Sequence, residues 1–177
     1  MPRSRFILVS NLELDEIAAY HVDISASLRL YFSTVSPAFT TRFAGLSERE
    51  VGDELMARLA ESDVRSALVA LTSLEASFRV DFTLRCKKRL KDGLSIYFRE
   101  VEKTRGDRVR LDEDILEGWK QHTPAPSALI GELRGAFKFR HWLAHGRYWI
   151  PKFGRKYDFG TVYLMATGIV SAVPFEA

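Results

Sequence analysis

The chain has 177 residues, 46% hydrophobic and 28% charged, the balance of a globular protein with enough chain for one domain, residues 1–177, around a buried core. Its one cysteine, Cys86, excludes an intrachain disulfide and a cysteine-bound metal cluster, and fits a reducing, cytoplasmic setting. The net charge of +3 hides an asymmetry: residues 1–78 carry 7 Lys/Arg against 11 Asp/Glu, whereas residues 79–160 carry 19 against 11, so the second half suits a polyanionic partner such as nucleic acid, or else presents solvated helix faces.

The opening "MPRSRFILVSNLELD" has an apolar run only from Phe6 to Val9, too short for a secretory leader. "SNLE" (Ser10–Glu13) has the spacing of a capping box and predicts a helix to about Val35. A second box, "SERE" (Ser47–Glu50), predicts another. From about Ser62 to Lys91, Val64, Leu68, Leu71, Phe78, Phe82 and Cys86 recur every three or four residues. That spacing predicts a long amphipathic helix, which Asp92-Gly93 should end. "LSIYFREVEKT" and "DEDILEGWKQH" read as shorter helices separated by "RGDRVR", the second with the acidic first turn that a helix N-terminus favours. After Pro124 and Pro126, "SALIGELRGAFKFRHWLAH" is a helix stopped by Gly146. The loop "GRYWIPKFGRKYD" then leads to a last helix from near Asp158 to about Val173. That last stretch is too short and too interrupted to span a membrane, and no membrane partner is expected. Strand signals are weak, since no tight turn joins two alternating apolar runs. The expected fold is all-α, an antiparallel bundle of about five or six helices.

Two charges interrupt apolar stripes. Positions 64, 68, 71, 75, 78 and 82 share a helix face, and only Glu75 is charged; positions 130, 133, 137, 140 and 144 share another, and only Arg140 is charged. A charge on a core-facing stripe is costly unless paired. Glu75 has two candidate partners: Arg79, one turn on, and Arg140, across helices. Otherwise the stripe edge is solvated. Arg140 and His145 stand five apart, about 140° around a regular helix, and share a side only if the helix end turns the histidine back. Basic residues in a last turn followed by glycine are also an ordinary helix end. His21 and His122 lie far from this segment and read as surface or cap residues, so no metal site and no cofactor is expected.

The segment "RHWLAHG" (Arg140–Gly146) resembles the signature of the HEPN superfamily: an arginine, four to six residues, then a histidine, often with alanine before it and glycine after. Arg140, Ala144, His145 and Gly146 match, and His141 stands where asparagine is usual. The helical bundle, the late position of the motif, the helix after it and "LEASFRVDF" upstream are similar too. Some members paired with nucleotidyltransferase antitoxins carry a tyrosine two residues after the histidine; here Tyr148 stands three after. The resemblance implies a metal-independent endoribonuclease of the toxin or phage-defence kind, working as a homodimer with two motifs facing across a cleft. It implies catalytic Arg140 and His145, an auxiliary His141, an orienting Glu75, and an antitoxin or regulatory partner. Histidine titrates near neutrality and moves protons; arginine stays charged and clamps phosphate. Two other readings stay open: a non-catalytic HEPN module that binds RNA or nucleotide or regulates a partner, and a structural helical dimer.

The loop after the motif interleaves Tyr148, Trp149, Phe153 and Tyr157 with Arg147, Lys152, Arg155 and Lys156. Aromatics stack on unpaired bases while cations meet phosphates, so Arg147, Tyr148, Lys152, Arg155 and Lys156 are the expected RNA-binding residues. The alternative is that the aromatics plug the bundle end, with Trp149 in the core and Lys152, Arg155 and Lys156 in solvent.

Overall fold

The computed structural model describes residues 13–125, 127–147, 150 and 152–176. Among them seven α-helices form a bundle and no strand occurs. Helix α1 (Leu14–Tyr31) ends four residues short of Val35, and the Glu16 carboxylate takes the Glu13 amide at its start; Ser10 of the expected capping box lies outside the described residues. After the short α2 (Phe39–Arg42), Ser47 and Glu50 form the second capping box as expected and open α3 (Glu48–Lys88). The helices expected to start at Ser47 and at Ser62 are one rod, about 60 Å long at 1.5 Å per residue. Nothing between them breaks a helix: there is no proline, and Gly52 costs only about 1 kcal/mol against alanine.

Asp92-Gly93 is a start, not a stop. Helix α3 ends at Arg89, whose φ of 51° is left-handed, and the Asp92 carboxylate then caps α4 (Gly93–Arg105) by accepting the Ser95 amide. A 3₁₀ turn (Gly106–Arg108) and a π-helical turn (Leu111–Leu116) lead into α5 (Glu117–His122), followed by α6 (Ser127–Ala144) and α7 (Phe159–Ala172).

Helix α3 is the axis: α1, α4, α6 and α7 all pack on it. Phe78, Leu71, Leu74, Phe98, Trp119, Ile130, Leu133 and Ile169 are fully buried around it. Cys86 is buried in the same core, its thiol pushed up to about 12 by burial. In the first eighteen residues of α3 only Val51 is buried, in a satellite cluster with Phe32 and Phe43. None of the described helices is long and apolar enough to cross a membrane.

The core also holds a polar cluster. Asp81, fully buried, accepts Arg85 Nε at 2.9 and 3.1 Å and the Glu176 amide at 2.9 Å. Arg85 further donates to the Pro174 carbonyl at 3.0 Å and lies 5.1 Å over the Trp119 ring. The C-terminal residues are thereby fastened to the far end of α3. Burial pushes the Asp81 carboxyl up, against the pull of Glu176's amide and Arg85.

Candidate functional site

Both partners available to Glu75 bind it at once. Its Oε1 accepts Arg79 Nε at 2.8 Å, and its Oε2 lies 3.0 Å from Arg140 Nη2. The carboxylate keeps 14% of its side-chain exposure and Arg140 keeps 29%, so the pair straddles the edge of the core. Arg140 Nε is buried with no hydrogen-bond partner among the described residues. The cluster carries one net positive charge, and a guanidinium has five N–H donors. Those that Glu75 does not engage suit phosphate oxygens.

The α6 stripe is rotated by about one residue from the expected phase. Ile130 and Leu133 are buried as read, but the face continues through Ala136, Phe139 and Leu143 while Phe137 is half-buried and Ala144 exposed. Arg140 therefore rides the rim of the buried face, aimed across to α3. The opposite side carries Arg134, Lys138, His141 and His145, spaced four, three and four residues apart, which makes one stripe of basic residue types down the helix.

The helix end follows from its residues. Gly146 has φ +81°, its amide reaches the Leu143 carbonyl, and the Arg147 amide reaches the Trp142 carbonyl, the paired bonds of a Schellman stop. His145 is left exposed at the C-terminal turn, its ring 4.2 Å from that of His141. It makes no hydrogen bond or ring contact with Arg140, so the glycine stop does not by itself bring the two motif residues together. Arg147, also left-handed at φ 58°, reaches back to α3 and grips both oxygens of Glu61 at 2.7 and 3.2 Å. That bond holds the Glu61 carboxyl below its ordinary range.

The loop from residue 152 folds back along α6. Tyr157 is buried and stacks on Phe139 at 5.2 Å, and Phe153 meets Phe139 and Trp142 edge-on. Gly135 permits this: a Cβ there would lie 2.5 Å from the Tyr157 hydroxyl. Phe153 and Tyr157 thus plug the bundle end and are not free to stack on bases with their faces. Arg155 is 3.5 Å from Glu132 and covers the Tyr157 ring, and Lys156 is 3.4 Å from Asp158. Lys152, Arg155 and Lys156 are exposed, as expected. Tyr148 and Trp149 lie outside the described residues.

Of the expected RNA-binding cations, Arg147, Arg155 and Lys156 each have a carboxylate neighbour, while Lys152 has none among the described residues. Lys152 instead borders an open pocket with Lys138 and His141. Lys138 was missed in the sequence, although it stands one helical turn before His141. His122 stacks on Tyr97 at a helix end, and His21 binds the Ser66 hydroxyl at 3.0 Å, both away from the motif. Among the described residues no three His, Cys, Asp or Glu side chains are placed to hold a metal ion. The site therefore has two halves, Glu75–Arg79–Arg140 facing inward and His141–His145 facing outward on one helix end. Comparison with protein-family models, curated proteins and solved structures gives no match.

Proposed function

We propose that this protein is a HEPN-type endoribonuclease that cleaves RNA by attack of the substrate's own 2′-hydroxyl, without a metal. The observation that carries the reading is the Glu75–Arg140 pair at 3.0 Å, because it holds the first motif residue at the rim of the core while His145 stands exposed at the helix end. In the step, the O2′–P bond forms and the P–O5′ bond breaks. An imidazole takes the 2′ proton, O5′ receives a proton as it leaves, and Arg140 stabilises charge on the equatorial oxygens. Attack by a neighbouring hydroxyl has the large advantage of an intramolecular reaction.

The active form is a homodimer. One chain keeps Arg140 and His145 in separate contacts, and a twofold axis doubles the groups available to one phosphate. The protein acts in the cytoplasm as a toxin or phage-defence effector, under an antitoxin or regulatory partner. The test is cleavage of labelled RNA by the wild type, Arg140→Ala and His145→Ala. Products ending in a 2′,3′-cyclic phosphate and a 5′-hydroxyl are expected, insensitive to EDTA and lost in both variants with helicity unchanged. A 5′-phosphate product, or cleavage intact in either variant, refutes the reading.

A further inference from the structure

The basic stripe of α6 does not end in a flat surface. Beside His141 it forms the wall of an open pocket of about 530 Å³, within the roughly 300–1,000 Å³ of small-ligand sites and too small for a duplex. Lys138 on α6 and Lys152 on the returning loop both border it, both exposed and without a carboxylate partner among the described residues. Half-buried Phe137 and Phe153 supply ring surface to the same pocket. Two further charges line it, Arg134 and Asp112. These are spent on each other, since Arg134 pairs with Asp112 and with Glu117.

The geometry points to this pocket as the subsite for an unpaired nucleotide that neighbours the cleaved phosphate. Lys138 and Lys152 meet the flanking phosphates, and the base rests against Phe137, with Phe153 only bordering the pocket. The inference rests on the ribonuclease reading for the cleavage itself, but not for the binding. Three observations carry it. Cations without a carboxylate partner among the described residues converge here, whereas Arg147, Arg155 and Lys156 are paired with Glu61, Glu132 and Asp158. Aromatic surface adjoins those cations, the combination that favours single strands over duplexes. And Lys138 lies two turns, about 10 Å of helix, before His145, while His141 of the motif lines the pocket itself, so the pocket adjoins the motif. Arg134 and Asp112 offset each other at the pocket wall, which leaves the two lysines as its unpaired charges among the described residues.

The experiment is fluorescence anisotropy with a short single-stranded 2′-O-methyl oligonucleotide, which binds without being cleaved. Lys138→Ala combined with Lys152→Ala should weaken binding about 10- to 100-fold and lower the salt slope by about 1.4, the value for two lost phosphate contacts on a single strand. Arg155→Ala combined with Lys156→Ala removes the same formal charge and should change affinity less than about threefold, since both cations already have partners. Asp112→Asn should tighten binding about two- to fivefold, the scale of one exposed charge. A duplex of equal length should compete about tenfold more weakly. Equal losses in the two double variants, or none in the first, overturn the subsite. A duplex that competes as well as the single strand overturns the base contact.

The two readings fail separately. Wild type that binds the oligonucleotide through Lys138 and Lys152 but never cleaves RNA removes the catalytic assignment and leaves the subsite. Wild type that cleaves, with cleavage and binding unchanged in the Lys138/Lys152 variant, does the reverse.

Discussion

Among the acid–arginine pairs that helix α3 makes at i,i+4 spacing, Glu75–Arg79 and Asp81–Arg85 have opposite characters. At Asp81 every group is closed. The carboxylate is fully buried and accepts from Arg85 and the Glu176 amide, while the guanidinium reaches Pro174, Asp92, Ser95 and the Trp119 face. At Glu75 the carboxylate is shared between Arg79 and Arg140 at the rim of the core, and Arg140 retains a buried Nε without a hydrogen-bond partner among the described residues. One spacing thus yields a satisfied structural joint at one site and a guanidinium held in place but underused at the other. What separates them is where each helix turn meets its neighbours. The C-terminal residues cover the first pair, whereas the second opens beside the end of α6.

Breaking the closed pair should have the largest effect on stability. Asp81→Ala leaves the buried Arg85 guanidinium with only one, longer carboxylate contact, 3.4 Å to Asp92, and should cost about 3 kcal/mol, the low end for a broken buried pair, measurable by urea denaturation. A loss below about 1 kcal/mol would show that the pair is not the joint described. Breaking the open pair should invert the balance between stability and activity. Glu75→Gln should cost roughly 1 kcal/mol or less, as for partly exposed pairs, yet reduce RNA cleavage about tenfold or more if Arg140 depends on it for position. A variant that cleaves normally would reduce Glu75 to an ordinary surface partner of Arg79.

The smallest effect sharpens the contrast through pH. Arg147 holds the Glu61 carboxyl of the folded state below the ordinary carboxylate value. The pair therefore adds stability above that value and loses it as pH falls through the lower folded one. With the Glu61 side chain 38% exposed, solvent screening keeps the contribution under about 1 kcal/mol at pH 7. Glu61→Gln should be less stable than wild type by that amount at neutral pH, and the two unfolding curves should converge in acid. A difference that persists or grows in acid would assign the link to packing instead of charge.

Much of this was legible in the chain. The all-helical class, the Ser47 capping box, the Gly146 stop and the two odd charges in apolar stripes all rest on local spacing, which a sequence displays directly. The Glu75–Arg140 pairing was one of two options, and both occur. Less legible was anything that depends on helix phase or on a distant segment. Nothing local marks Asp81 and Arg85 as buried, because they bind the backbone of Glu176 and Pro174, about ninety residues away, and no local pattern announces a carbonyl. The α6 face was placed one residue out toward its end, which hid the stripe Arg134, Lys138, His141 and His145 although its spacing was available. The loop cations looked alike because their carboxylate partners at 61 and 132 stand on other elements.

The 41-residue rod of α3 has a consequence for motion. From Ser66 onward every turn contributes to the core, whereas before Glu61 only Val51 does, and Arg147 is clasped at the boundary. Local opening is easiest where few apolar contacts resist it. Backbone amides along one unbroken helix should then exchange with solvent in two regimes: rapidly by fraying from Glu48 inward, and only through global unfolding beyond Ser66. The hinge between them falls where the end of α6 touches α3, so whatever engages that end also sets how far the fraying travels.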